Sequence, residues 1–299
     1  MRHTGQIVGG SVIVCVVCSK PLSGKIKTRL RSAQLVECQA CKSWIYLPRP
    51  TAEEQAGVHD NEQYFEHPYF QHRRHAQAGN DRRCRQLFNR LRAAIDPSSL
   101  RGERLLDVGC DTGALLLSAA RQFGIVPVGV DVSSRAIHQI KAQGIEAYVT
   151  DLEHAPRQLS EFSVITAIDL LEHVVDPRAF LQQLFSRLRP GGVTYLETPN
   201  IYSSIYQIGC VLSRITGGRP TAIFERLFPS QHIQYFTRSS FATLAHESGF
   251  EVVQLDLRSL PCTDLAASLP MRLALTGVQL FDQLVHKAIL ICGLLRKPF

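Results

Sequence analysis

The regular alternation of short apolar runs with helix-periodic stretches, from residue 101 onward, constrains this chain more than any other feature. Seven runs are predicted strands: 104–108, 126–130, 146–150, 163–168, 193–197, 251–257 and 288–295. Most are separated by segments typical of helices of about 10–15 residues, which indicates βαβ units. Such units build a parallel sheet covered by helices on both faces. The alternation therefore predicts an α/β fold that binds ligands at the carboxyl ends of its strands.

A glycine-containing loop, DVGCDTG (107–113), follows the first predicted strand and precedes a helix. Glycine permits a tight turn and a close approach of the backbone to a ligand, and a helix N-terminus attracts negative groups. Asp131 and Asp151 end the next two strands. There they can accept hydrogen bonds from ribose hydroxyls and from an adenine amino group. The pattern predicts a site for an adenosine-containing cofactor, with an unliganded turn as the alternative.

Four of the nine cysteines form two pairs, Cys15/Cys18 and Cys38/Cys41, with nineteen residues between the pairs. Four thiolates at this spacing are typical ligands of a tetrahedral zinc ion. A fifty-residue segment has a small core, and zinc binding could contribute on the order of 10 kcal/mol to its folding. We expect a closed structural zinc site. Two unrelated turns or a redox pair remain the alternatives.

The formal net charge of +7 lies entirely within residues 1–50, which contain eight Lys or Arg and one Glu. A basic segment can attract nucleic acid, although residues 20–42 lack the interleaved aromatic side chains of a base-stacking platform. There is no apolar run of about 18 residues, so no membrane span is predicted. An odd number of cysteines and no signal-peptide pattern favour reduced thiols and a cytoplasmic location.

Five ordered stretches resemble class I S-adenosylmethionine-dependent methyltransferases, over residues 85–299: LLDVGCDTG (105–113), GVDVS (129–133), VTDLE (149–153), AIDLLEHVVDP (167–177) and LRPGGVTYLETPN (188–200). The resemblance implies a Rossmann-like seven-stranded sheet of order 3-2-1-4-5-7-6, with the last strand antiparallel. It also implies a cofactor site at Asp107, Gly109, Asp111, Gly113, Asp131, Val132, Asp151, Leu152 and Asp169. Asp111 stands where the family usually has glycine, so we expect it to alter cofactor affinity.

The stretch 37–65 resembles a narrower group, the type 11/23-like methyltransferases with an N-terminal zinc ribbon, which are related to quinone and sugar methyltransferases. The resemblance implies a zinc ribbon at 1–50, a linker and lid segment at 51–84 and a methyltransferase domain at 85–299. The aromatic pairs at 64–65 and 69–70 would form a lid over the substrate or anchor the linker.

Two histidines are candidate general bases. His173 ranks first because, in related enzymes, the Glu-His step lies beside the reacting methyl group, and Glu172 could orient its ring. His232 ranks second as base or substrate ligand. Either histidine could instead only shape its turn. If the turn at 169–173 is helical, Asp169, Glu172 and His173 would share a face able to bind a divalent cation, as in quinone-type O-methyltransferases.

The predicted function is methyl transfer to a small-molecule acceptor, by O-methylation of a sugar, polysaccharide precursor or other secondary metabolite. The alternative is a nucleic-acid-associated methyltransferase or binding module that uses the basic ribbon. The fourth strand lacks the Asn/Asp-Pro-Pro-Tyr/Phe step typical of amino-group methylation on bases, because Asp169 precedes Leu-Leu-Glu. Oligomeric state is left open.

Overall fold

The computed structural model describes residues 7–8, 11–30, 33–59, 77–219, 221–259 and 269–299. The strands in these ranges are β1 (Ile7–Val8), β2 (Ser11–Val12), β3 (Gly24–Arg29), β4 (Gln34–Cys38), β5 (Trp44–Leu47), β6 (Arg104–Val108), β7 (Val126–Asp131), β8 (Glu146–Val149), β9 (Phe162–Ile168), β10 (Leu188–Pro199), β11 (Gln234–Tyr235), β12 (Glu251–Arg258) and β13 (Leu290–Arg296).

The helices are α1 (Ala52–His59), α2 (Gln77–Leu91), α3 (Ala114–Phe123), α4 (Ser134–Ala142), α5 (Pro177–Arg187), α6 (Ser204–Ile215), α7 (Thr221–Leu227), α8 (Arg238–Glu247) and α9 (Leu269–Leu284). Three of them begin with a side-chain cap. The side chains of Ser133, Asp176 and Thr237 each accept a hydrogen bond from a backbone N–H in the first turn of α4, α5 and α8. These bonds satisfy donors that a helix start leaves unpaired.

Seven strands form the central sheet in the order β8-β7-β6-β9-β10-β13-β12. β13 runs antiparallel to both of its neighbours, and the remaining pairs are parallel. The predicted order 3-2-1-4-5-7-6 with an antiparallel last strand is confirmed. Successive residues of β6 and β9 pack on opposite faces, with Leu106 and Ile165 on one and Leu105 and Val164 on the other. Helices cover both faces, which explains the nearly continuous apolar runs.

The ribbon sheet has the order β11-β5-β4-β3, so its fourth strand comes from a distant part of the chain. β11 pairs with β5 through Gln234 opposite Ile45 and Tyr235 opposite Trp44. Leu35 and Trp44 of the ribbon also pack into a cluster with Tyr206, Phe228 and Tyr235. The N-terminal segment and the rest of the chain therefore share both a sheet and a core.

Two sequence predictions change in detail. The strand predicted at 193–197 extends over 188–199, because β9 and β13 pair with it along most of its length. α1 and the start of α2 occupy parts of the predicted linker 51–84, whereas its aromatic pairs lie outside the described residues. Among the described residues, no helix is long and apolar enough to cross a membrane.

Candidate functional site

The loop between β6 and α3 has a backbone conformation that favours glycine at three positions. Gly109, Asp111 and Gly113 have φ of 72°, 46° and 75°. Aspartate tolerates this left-handed region better than most residues, because its short polar side chain can bond locally. Asp111 therefore preserves the loop that glycine usually forms in the family. Its N–H donates to Oδ2 of Asp131 at 2.9 Å, which ties this loop to the end of β7.

A cavity of about 560 Å³ lies at the carboxyl ends of the parallel strands, where the topology predicts a ligand site. It is lined by eight of the nine predicted cofactor residues: Asp107, Gly109, Asp111, Asp131, Val132, Asp151, Leu152 and Asp169. The ninth, Gly113, lies behind the wall as the N-cap of α3, and a Cβ there would come within 2.9 Å of Ile140. The fold thus assembles the cofactor residues that the sequence predicts, with Gly113 supporting the loop.

The carboxylates in this cavity differ in their surroundings. Asp107 is buried and accepts a hydrogen bond from Thr166 Oγ1 at 2.6 Å. Burial raises the pKa of Asp107 to about 7, although the bond from Thr166 opposes the shift. Asp131 accepts a second bond from the N–H of Ser133 at 2.9 Å, and Asp151 accepts one from the N–H of His154 at 2.8 Å. The buried carboxylate of Asp107 favours a cationic ligand beside it, because a positive charge stabilises the ionised form of the carboxylate.

The predicted base His173 lies in a 3-10 turn, Leu171–His173, that follows β9. Its Nδ1 is 2.9 Å from the carbonyl oxygen of Gln231. A carbonyl only accepts, so the neutral ring carries its proton on Nδ1 and its lone pair on Nε2. Among the described residues, those lining the cavity include His173 but not His232, whose ring lies edge-on to His173 at a centroid distance of 4.7 Å. His173 is therefore the better placed of the two.

Glu172 differs from its expected role of orienting His173. It accepts a hydrogen bond from Thr198 Oγ1 at 2.8 Å, and the Gln231 carbonyl holds the Nδ1 of His173. Burial, and secondly the charge of Asp169, raise the pKa of Glu172 to about 8. The carboxyl is therefore mostly protonated at neutral pH in the unliganded protein.

The cluster that could hold a divalent cation also differs from the predicted one. Asp169 has φ of 53° and precedes the 3-10 turn, so it does not continue a helical face with Glu172 and His173. Instead, ligand atoms of Glu172, His173 and His232 lie within 4.8 Å of one another. One carboxylate and two imidazoles are suitable ligands for several transition metals.

The raised pKa of Glu172 predicts a pH-dependent stability. Between its ordinary pKa of 4.5 and about 8, the folded chain holds a proton that the unfolded chain has lost. The free energy of unfolding of the unliganded protein should therefore fall as pH rises through this window, by a few kcal/mol at most from this group. Glu172→Gln should flatten the fall, measured by urea unfolding at pH 5.5 and pH 8.5. Glu247→Gln, at an exposed glutamate, is the control and should keep the wild-type pH dependence. Equal slopes of the unfolding free energy against pH in wild type and Glu172→Gln would contradict the assignment.

Arg49, which the sequence interpretation did not single out, connects the ribbon to both histidine segments. One guanidinium nitrogen donates to the carbonyl of Ile233 at 2.7 Å and to the side-chain oxygen of Gln234 at 2.8 Å. The other donates to the carbonyl of Val175 at 2.7 Å. Burial lowers the pKa of Arg49 to about 10, so it is still charged at neutral pH. The only signal in the sequence is the step Pro48-Arg49-Pro50.

A second group of polar side chains, to which the sequence motifs assigned no role, also lines the cavity. Glu197 at the end of β10 accepts hydrogen bonds from Tyr195 and from Arg258. Arg83 and Arg90 of α2 also line the cavity, and Arg90 bonds Asp256 at 3.3 Å. The elements β10, β12 and α2 are far apart in the sequence, and only the folded chain brings these residues together.

The four predicted zinc ligands converge in the ribbon. Sγ distances are 3.7 Å for Cys15–Cys41 and 3.8 Å for Cys18–Cys38, and all four sulfurs lie within 4.8 Å of one another. Four thiolates at 2.3 Å from a tetrahedral ion are separated by about 3.8 Å, so this donor set fits zinc. The residues after each second cysteine, Ser19 and Lys42, have φ of 56° and 65°, although neither is the glycine often found there.

Comparison with known proteins identifies a family to which this chain belongs. A methyltransferase-domain family matches residues 70–255. The chain is 27% identical over 168 residues to a ubiquinone biosynthesis O-methyltransferase of Albidiferax ferrireducens, covering 52% of this chain and 66% of the relative. It is 31% identical over 122 residues to the enzyme of that name from Haemophilus ducreyi, covering 37% of this chain and 51% of the relative. The chain thus spans about half to two-thirds of these relatives.

A solved structure shares the fold. The plantazolicin methyltransferase BpumL in complex with SAH aligns with a TM-score of 0.52 and 18% identity, over 83% of this chain and 97% of that chain.

Proposed function

Because the chain belongs to the methyltransferase-domain family, we propose that it is an S-adenosylmethionine-dependent O-methyltransferase acting on a small-molecule acceptor. The observation that carries the proposal is the cavity at the carboxyl ends of the strands. Its lining includes the carboxylates that we assign to the cofactor, the imidazole of His173, and Glu197 with its partners Tyr195 and Arg258. The names of the curated relatives support a hydroxyl acceptor.

The residues of the cavity suit this cofactor. Asp107 would face the positively charged methionine part, Asp131 would accept from the ribose hydroxyls, and Asp151 with Leu152 would bind the adenine. The bound cofactor supplies a methyl group already activated on a sulfonium. The protein has to hold the acceptor oxygen in line with that methyl carbon, at about 3–3.5 Å.

The chemical contribution that we assign to the chain is proton removal. Nε2 of His173 would accept the proton of the acceptor hydroxyl as the oxygen becomes the nucleophile. The Gln231 carbonyl would stabilise the resulting imidazolium through its bond to Nδ1–H. His232 packs against this ring and restricts its rotation. A sugar, a polysaccharide precursor or a phenolic metabolite would each present a suitable hydroxyl.

We also propose that Cys15, Cys18, Cys38 and Cys41 bind one structural zinc ion. With four cysteine ligands the site is closed, so it takes no part in the chemistry. Its role would be to stabilise the ribbon, whose strand β5 pairs with β11 beside His232.

The test of the function is product formation from a panel of acceptors. Purified protein with S-adenosylmethionine should release S-adenosylhomocysteine in the presence of catechols, hydroxylated quinol analogues or nucleotide sugars, with methylated product identified by mass spectrometry. Methylation of RNA or DNA, with no small-molecule product across the panel, would replace this proposal by the nucleic-acid alternative.

Cofactor binding gives a sharper prediction. Asp131→Ala should remove two ribose hydrogen bonds and weaken S-adenosylhomocysteine binding by about 30- to 150-fold, or about 2–3 kcal/mol. Isothermal titration calorimetry measures the change. Asp96→Ala is a matched control, because Asp96 also caps a local turn but lies outside the cavity lining. Unchanged affinity in Asp131→Ala would disprove the ribose assignment.

A further inference from the structure

Helix α6 presents its apolar side chains to solvent. Ile208, Val211, Leu212 and Ile215 are exposed, and Ile215 is 76% exposed. They follow the spacing i, i+3, i+4, i+7 and therefore form one continuous stripe along the helix. The opposite face, which packs against the protein, contains Tyr206 and the small residues at 209, 210 and 213. This helix therefore carries apolar side chains on its solvent side as well as on its buried side.

The last turns of α9 extend the same surface. Leu280, Phe281 and Leu284 are exposed, and Leu284 is 82% exposed. The two helices are joined where the carboxylate of Asp282 accepts the N–H of Ser204 at 3.1 and 3.2 Å. A groove of about 390 Å³ lies between them, with Ile208, Val278 and Phe281 among its lining residues. We call the exposed apolar side chains of α6 and α9 the α6–α9 face. Contiguous apolar patches of this kind mark interaction sites.

Basic residues border the α6–α9 face. The ribbon strand β3 lies beside α6 through a 2.8 Å hydrogen bond between Thr28 and Ser213, and Arg214 donates to the carbonyl of Lys27 at 3.3 Å. Exposed Arg29 therefore lies near the C-terminal end of α6. Exposed Arg219 follows α6, and exposed Lys287 follows α9. Exposed cations from the ribbon, from α6 and from the end of α9 thus lie next to the apolar stripe.

We propose that the α6–α9 face docks onto the surface of an anionic lipid bilayer. Aliphatic side chains would enter the boundary between headgroups and acyl chains, while the long Arg and Lys side chains reach the phosphates. A second copy of the chain fits less well, because a two-fold interface apposes the same face of both copies and so brings two cationic rims together. Nucleic acid would explain the charge but not the aliphatic stripe.

The joined ends of α6 and α9 lie at the same edge of the central sheet as the cavity. α6 begins five residues after Pro199, the end of β10, and Pro199 pairs with Leu290, the start of β13, which follows α9. The linked ends of both helices therefore lie at the edge of the sheet where the cavity opens. If the proposed function holds, a bilayer-borne acceptor with an apolar tail could reach His173 without crossing bulk water. The docking itself does not depend on that function.

The experiment measures vesicle binding of the full zinc-loaded chain. We expect co-sedimentation with vesicles of 70% phosphatidylcholine and 30% phosphatidylglycerol, weaker binding in 0.5 M NaCl, and little binding to pure phosphatidylcholine. Ile215→Glu and Leu284→Glu should each lower the partition coefficient by about tenfold or more, because each removes an aliphatic side chain that would be buried in the docked bilayer. Arg214→Gln should lower it by about fivefold.

Val126→Glu is the matched control, because Val126 is an exposed aliphatic residue at the amino end of β7, at the opposite end of the parallel strands from the cavity. This variant should partition onto vesicles as wild type does. Calorimetry with S-adenosylhomocysteine should give wild-type affinity for Ile215→Glu and Leu284→Glu, which separates docking from the proposed function and excludes misfolding. Three results would overturn the proposal. One is no binding to anionic vesicles, and another is equal binding by all variants. The third is a dimer in light scattering that Ile215→Glu dissociates, which would assign the face to a second copy.

Discussion

We expect His173→Ala to lower the turnover number by about 100-fold or more while the affinity for S-adenosylhomocysteine changes little. The reason is geometric. The carbonyl of Gln231 holds Nδ1, so Nε2 is the basic nitrogen of the neutral ring, and His173 is the one histidine of the pair that lines the cavity. Removing the imidazole removes the proton acceptor without disturbing Asp107, Asp131 or Asp151. Turnover with an identified acceptor and calorimetry with the cofactor product measure the two effects separately.

Two other histidines supply the comparison. His232→Ala should affect mainly the Michaelis constant of the acceptor or the thermal stability, because this ring supports His173 from behind. His138→Ala, on the exposed side of α4, should behave as wild type. If His232→Ala loses turnover and His173→Ala keeps it, the two roles must be exchanged. If neither variant loses turnover, the enzyme acts by proximity on an acceptor that is already nucleophilic.

The second large effect concerns the metal. One zinc per chain should be found by elemental analysis, and Cys38→Ser should abolish stoichiometric binding and unfold the ribbon at a lower temperature than wild type. Cys38 is both a proposed zinc ligand and the last residue of β4, and its N–H donates to the carbonyl of Ser43 at 2.8 Å. We expect chelation to reduce turnover before it reduces cofactor affinity. The reason is that β5 and Arg49 support the histidine segments, whereas the cofactor carboxylates belong to the central sheet.

Cys84→Ser is the matched control, because Cys84 is also fully buried but lies on α2, away from the ribbon cluster. It should keep its zinc and show only a modest loss of stability. No zinc in freshly purified protein, or equal melting temperatures for Cys38→Ser and wild type, would contradict the structural role. A parallel loss of cofactor affinity and turnover on chelation would show that the ribbon supports the whole catalytic region equally.

The predicted parts of the site depend on short stretches of chain. The carboxylates at 107, 131 and 151 each end a strand, and parallel strands bring those ends to one edge. The cysteine pairs likewise form within two local turns. The partners of Arg49 lie more than 120 residues away, and the two-residue strand β11 is too short to leave a periodic signal. The predicted cation set including Asp169 assumed a helical turn, and a 3-10 turn forms instead.

The apolar stripe of α6 illustrates a different limit. Helical periodicity identifies an apolar face, but it does not tell which neighbour covers that face. In a typical surface helix only one side is apolar and it is buried, whereas α6 has apolar side chains on both sides. Tyr206 and Cys210 face the protein, and Gly209 approaches Leu227 so closely that a larger side chain would not fit at that position. Packing space, which the sequence does not encode locally, decides the orientation.

The strand β11 has a consequence for how this protein can be divided. An enzyme with a removable accessory module tolerates its deletion or its transplantation onto another catalytic region. Here the removal of residues 1–50 would leave Gln234 and Tyr235 without the backbone partners that β5 provides. It would also uncover Tyr206 and Phe228. A ribbon expressed alone would carry an open sheet edge in turn, and open edges promote aggregation. The two regions therefore have to be inherited, and engineered, as one unit.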